Sequence, residues 1–112
     1  MMYNEVNLIN KDDVMDNHAL NQQLYQVIAS LKSAEEAELF LQDLCTLKEI
    51  EYMAQRVESA KLLMNNMTYQ EVFKRVNISS ATLSRVSKCV KYNTGYTSVL
   101  TRLFGKESEE KN

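Results

Sequence analysis

At 112 residues, with a net charge of −2 and neither Pro nor Trp, the chain has room for one domain with a modest core. Only Gly95 and Gly105 interrupt a composition rich in Leu, Met, Ala, Glu and Gln, which favours helix throughout and argues against a sheet-based fold. Apolar runs are far too short to span a bilayer and no basic-then-apolar leader opens the chain, so a cytoplasmic protein without membrane contact is expected. Enzyme classes find little footing, because the sequence offers no Gly-rich phosphate loop, no nucleophile with a base and no metal-ligand cluster. No catalysis, cofactor or metal is therefore expected.

Residues 1–18 are polar and irregular and read as a mobile arm, with His18 a surface or capping residue. From Ala19 to Leu31, the positions Leu20, Leu24, Val27, Ile28 and Leu31 make one apolar helical face. Ser33 and Glu36 have the spacing of a capping box, which opens a helix carrying Ala37, Phe40, Leu41 and Leu44. Glu35, Glu36 and Glu38 sit at its start, where acidic groups favour the macrodipole. Thr46 and Glu49 form a second such pair and lead into a long helix to about Asn65. Its stripe is Ile50, Met53, Val57, Ala60 and Met64, widened by Leu62 and Leu63. Asn65-Asn66 supplies a left-handed stop. After Gly95 a last helix carries Tyr96, Val99, Leu100, Leu103 and Phe104, and the charged tail from Lys106 is expected to fray. Cys45 and Cys89 fall on apolar helical faces and are expected as buried, reduced thiols.

The most informative stretch is 68–91, TYQEVFKRVNISSATLSRVSKCVK. Thr68 and Glu71 make a third capping pair, followed by Val72, Phe73 and Val76 at helical spacing. Asn77 is expected to turn the chain in a left-handed conformation, with Ile78 filling the angle and Ser79 capping a second helix. That helix would bury Leu83, Val86 and Val90 and turn outward Ser80, Ala81, Thr82, Ser84, Arg85, Ser87 and Lys88. Two short helices at a tight turn are a helix-turn-helix, whose second helix reads base edges while flanking cations meet phosphates. The position beneath the second helix is usually small and here is Phe73, which predicts wider packing or a large ring in the core. A plain helical hairpin with a solvated polar face would share the spacing. Charge favours the DNA-binding alternative. Residues 1–67 carry 11 acidic and 5 basic side chains, whereas 68–112 carry 4 acidic and 8 basic.

The first two helices and the last present more Leu and aromatic surface than one small subunit can cover, so a homodimer is expected. The run DLCTLKEIEYMAQRVESAKLLMNNMTYQEVFKRVNISSATLSRVSKCVKY resembles the tryptophan repressor superfamily, and within it the Trp repressor-like proteins of the YerC/YecD type. The likeness spans about residues 20–105, so residues 19–105 are taken as the domain. It implies an all-α fold of six helices, an intertwined homodimer with two helix-turn-helix heads.

The resemblance also implies a tryptophan clamp of two arginines, which match Arg56 and Arg85. Where the repressor has Gly after the second arginine, this chain has Val86, and Cys89 replaces a polar residue of the ligand site. Both changes argue against tryptophan as corepressor and leave a different small ligand beside Arg56 and Arg85 open. The expected function is a sequence-specific regulator, a repressor, binding double-stranded DNA at a pseudo-palindromic operator. Ser80, Ala81, Thr82, Ser84 and Arg85 would face the major groove, with Ser87 beside them. Thr68, Tyr69, Gln70, Lys74, Lys88 and Lys91 would lie near the backbone. The competing class is a protein-interaction dimer that keeps the fold.

Overall fold

A computed structural model describes residues 14–110, and every regular element in it is an α-helix. In chain order these are α1 (Asn17–Ala29), α2 (Ala34–Leu44), α3 (Leu47–Met64), α4 (Tyr69–Arg75), α5 (Ser80–Tyr92) and α6 (Gly95–Glu110). The first 13 residues of the expected arm, and the last two of the expected tail, lie outside the described residues. Helix α1 starts before Ala19 because the Asp16 carboxylate accepts the Ala19 N–H at 2.8 Å. It stops at Ala29 rather than Leu31, with the Ser30 hydroxyl donating to the Val27 carbonyl at 2.6 Å. At the other end, α6 stays helical past Lys106 to Glu110. No helix among the described residues is long and apolar enough to cross a membrane.

The chain divides after Leu41 into two compact units. In the first, α1 buries none of its residues, and its apolar side chains Leu20, Leu24, Val27 and Ile28 are between 37% and 45% exposed. A helix with this pattern has little intrinsic reason to persist alone, since tertiary burial of the apolar face supplies most helical stability. The start of α2 differs from the expected box. Ser33 accepts the Glu36 N–H at 3.0 Å, but the Glu36 carboxylate reaches past it to the Lys32 N–H at 2.9 Å.

In the second unit, α3 is the scaffold on which α4, α5 and α6 pack. Its start and that of α4 are complete capping boxes, Thr46 with Glu49 and Thr68 with Glu71. Between them α3 ends at Asn65 and Asn66, and Asn66 has φ 66°, the single left-handed non-glycine among the described residues. Two clusters form the core. Leu62 of α3, Val72 of α4, Val76 and Leu83 of α5 make the first. Ala60 of α3, Val86 of α5 and Leu100 of α6 make the second, and Ile78 packs against both. Lys61 adds a cation–π contact, its Nζ 4.3 Å from the Phe104 ring centre, which ties α3 to α6. Ser59 is buried with the core although no apolar pattern marks it, and its hydroxyl has no partner among the described residues.

Several expected core positions are not enclosed. Val57, Val99 and Leu103 are exposed, and Val90 is only half-buried. Cys45 and Cys89 are free and half-buried rather than enclosed, and Cys45 lies in the bend between α2 and α3 rather than on a helical face.

The capping boxes carry a pH signature. The Thr68 backbone N–H, donating at 2.8 Å, and then the Thr68 hydroxyl hold the Glu71 carboxyl below the ordinary glutamate value, with Arg75 and Lys74 adding to the effect. Glu49 is lowered in the same way by the N–H and hydroxyl of Thr46. A group lowered on folding stabilises the native state above its unfolded value, and that contribution is lost as pH falls through the lowered native value. Glu71→Gln should therefore flatten the acid limb of a stability-against-pH curve without altering the neutral-to-alkaline trend. Thr68→Ala, which deletes the cap, should cost about 1 kcal/mol in urea unfolding at neutral pH. A Thr68→Ala protein with unchanged midpoint would show that the box does not hold α4.

Candidate nucleic-acid interface

The turn between α4 and α5 is built without the left-handed Asn77 that its sequence suggests. Val76 ends α4 in an extended conformation (φ −130°, ψ 132°), and the Ile78 N–H donates to the Val76 carbonyl at 3.0 Å across Asn77. This three-residue closure is a γ-turn, and because Asn77 has negative φ it is the low-strain inverse form. Ser79 then caps α5, accepting the Thr82 N–H at 3.1 Å, while its hydroxyl donates to the Thr82 hydroxyl at 2.9 Å.

That geometry fixes which side of α5 is outward. Leu83 and Val86 are buried, at 0% and 1% exposure. Ser80, Ala81, Ser84, Arg85, Lys88 and Lys91 are exposed, whereas Thr82 and Ser87 are half-buried at the edges of the face. Of the expected outward set, Thr82 is thus committed in part to the cap of its own helix. On α4 and its cap, Thr68, Tyr69, Gln70 and Lys74 are all exposed. Phe73 lies outside the core, 41% exposed, because Val72 and Val76, four residues apart, take the buried side of this short helix. Together with Tyr69, which was expected outward, it forms an exposed aromatic pair one turn apart, whereas the sequence pattern set Phe73 in the apolar stripe.

The cations of this face are not held in close ion pairs, although Lys74 lies near enough to Glu71 to act on its carboxyl. Among the described residues, Lys74, Arg85, Lys88 and Lys91 form no ion pair with a carboxylate. Arg85 and Lys88 border a shallow cleft of about 400 Å³ along α5 that also takes in Ser84, Cys89 and Tyr92. Arg56 is not part of it. That side chain is half-buried on α3 and lines a different cleft of about 470 Å³, between α3 and the turn before α5. The two arginines expected to form one clamp therefore serve separate clefts within this chain. Val86 packs inward against Ala60 and Leu100. No group of three or more His, Cys, Asp or Glu that could hold a metal occurs among the described residues.

The family model for the Trp repressor protein matches residues 19–104. The chain belongs to the Trp repressor family. The uncharacterized protein YerC of Bacillus subtilis (strain 168) is 42% identical over 88 residues, covering 78% of this chain and 85% of YerC. Among solved structures, a TrpR like protein from Eubacterium eligens ATCC 27750 aligns with TM-score 0.69 at 43% identity, covering 73% of this chain and 86% of that one. A candidate Trp repressor from Staphylococcus aureus aligns with TM-score 0.72 at 35% identity, covering 76% and 86%. The chain is therefore a Trp repressor-like protein of the YerC type with the all-α fold of that family. Trp repressor proteins are DNA-binding regulators and not enzymes, which places this chain in the same broad class.

Proposed function

We propose that this chain is a sequence-specific, double-stranded DNA-binding transcriptional regulator, a repressor, that acts as a homodimer on a pseudo-palindromic operator without tryptophan as corepressor. The observation that carries the proposal is the outward face of α5, with small and hydroxylic groups at its start, unpaired cations after them, and a buried opposite side. Ser80, Ala81, Ser84 and Arg85 are the proposed base-edge contacts, with Thr82 and Ser87 at the margins of the same face. Thr68, Tyr69, Gln70, Lys74, Lys88 and Lys91 are the proposed backbone contacts.

The homodimer is supported by the exposed apolar face of α1 and by a groove of about 530 Å³ that includes Val57, Tyr96, Val99 and Leu100. Exposed apolar surface of this extent is costly unless a second copy covers it. Independence from tryptophan is supported by Val86, whose side chain fills a core position at the junction of α3, α5 and α6.

Selection of bound sequences from random duplex DNA, with and without added tryptophan, tests the proposal. A two-fold symmetric motif should be enriched equally in both arms. Affinity for it should fall steeply with salt, by about 0.9 in log–log slope for each phosphate contacted. Salt-insensitive binding to a protein partner, with no enriched duplex, would replace this function with the protein-interaction alternative.

A further inference from the structure

We propose that the exposed ring of Phe73 reads the 5-methyl group of a thymine in the operator, which makes α4 a source of sequence preference as well as a backbone anchor. The proposal rests on the DNA-binding function above and adds to it a residue that is neither part of the core nor a polar contact. Phe73 is 41% exposed although Val72 and Val76 near it are buried, and Tyr69, one turn earlier, is exposed to the same extent. Two large rings open to water on a seven-residue helix are unfavourable in the free protein, and burial against an apolar group relieves that.

The neighbours of the ring point to DNA as its partner. Around α4, Phe73 falls between the buried stripe of Val72 and Val76 and the exposed ridge of Gln70 and Lys74. Glu71, the single acid between Thr68 and Lys91, is two residues from Phe73 and so faces another side of the helix. Its carboxylate is turned back to the Thr68 N–H at 2.8 Å. The flank that carries the ring is therefore free of acid and edged by an amide and a cation, which suits a polyanion that exposes apolar groups in its grooves.

The ring is also fixed relative to the reading helix. The Thr68–Glu71 box closes the start of α4, and Val72 and Val76 share one cluster with Leu83 of α5. At the start of α5 the outward Ser80, Ala81 and Ser84 are small, which lets that helix sit deep in the major groove. The first helix of such a motif crosses the strand that borders the groove. A ring carried on it reaches the rim of the groove. There thymine alone among the four bases presents a methyl group, and apolar contact with that methyl is how a phenyl ring distinguishes a base.

The test exchanges deoxyuridine for thymine, one position at a time, through one half-site of the selected operator. Binding is measured for wild type, Phe73→Ala and Phe73→Leu. Each exchange removes one methyl group from the DNA and nothing else. One position should weaken wild type about fourfold, the worth of a buried methyl. Phe73→Ala should bind the thymine operator about tenfold less tightly and lose the response to that exchange. Its salt slope should match wild type, because a neutral ring neutralises no phosphate. Phe73→Leu should keep part of the response, and should Phe73→Ala fail to fold, Phe73→Leu against wild type carries the same comparison. Equal deoxyuridine responses in wild type and a folded Phe73→Ala protein would overturn the proposal. So would a loss in Phe73→Ala that is uniform across operator and unrelated duplex, which would make the ring a prop for backbone contacts. A Phe73→Ala protein that binds DNA as wild type does but loses subunits on sedimentation would overturn it too, and give the ring to a contact between copies of the chain. Failure of the unaltered protein to bind any duplex would instead overturn the DNA-binding function itself, and the reading of thymine with it.

Discussion

Replacing Arg85 and Lys88 together by Ala is expected to abolish retention of operator DNA while leaving the melting temperature and oligomeric state of the protein unchanged. Both side chains are exposed on α5 and neither is paired with a carboxylate among the described residues, so their removal leaves no buried group unsatisfied. What is lost is attraction to DNA. An arginine bonded to a guanine edge is worth about 1–3 kcal/mol of discrimination, and each lost phosphate contact also lowers the salt slope by about 0.9. Two such losses in each half of a dimer compound, because both heads must hold the same duplex. The measurement is fluorescence anisotropy of labelled operator, with sedimentation to confirm the dimer. Operator binding that survives in the double variant would remove α5 from the interface.

Leu83→Ala should be the most destabilising single change in the head. Leu83 is fully enclosed in a cluster with Leu62, Val72 and Val76, and so joins α3, α4 and α5 at one point. Truncating a buried leucine costs about 2–5 kcal/mol through lost burial and the cavity left behind. Domains of this kind hold only about 5–15 kcal/mol in total, so urea unfolding should shift markedly and DNA binding should be lost through melting of the head. Phe73→Ala provides the contrast. Its exposed ring should leave stability almost unchanged despite the larger side chain removed. Equal effects from the two substitutions would contradict the assignment of α4's buried side.

That contrast also marks where the sequence was informative. A cap needs a hydroxyl and a carboxylate three residues apart, a strictly local relation, and Thr46–Glu49 and Thr68–Glu71 could be read from spacing alone. Asn66 belongs with them, because a helix end followed by two Asn has few other ways to turn. Leu83 and Val86 were legible for the same reason, since α5 runs long enough for one apolar face to be defined. Helix α4 is too short for that. Val72, Phe73 and Val76 allow two choices of buried side, and only packing against α3 selects Val72 and Val76.

Asn77 was misjudged because a γ-turn closes the chain with negative φ, an alternative that residue preference alone does not separate from a left-handed turn. Of the candidate site, the outward cations were legible as charge. The separation of Arg56 from Arg85 was not, because it depends on how two helices far apart in sequence lie against each other.

Val86 has a consequence for control. Val86 packs the reading helix against Ala60 of α3 and Leu100 of α6. Under the function proposed above, a helix held there would meet its operator without waiting for tryptophan. Control would then move upstream, to how fast the chain is made and destroyed, and the response time would be that of protein turnover rather than of tryptophan exchange.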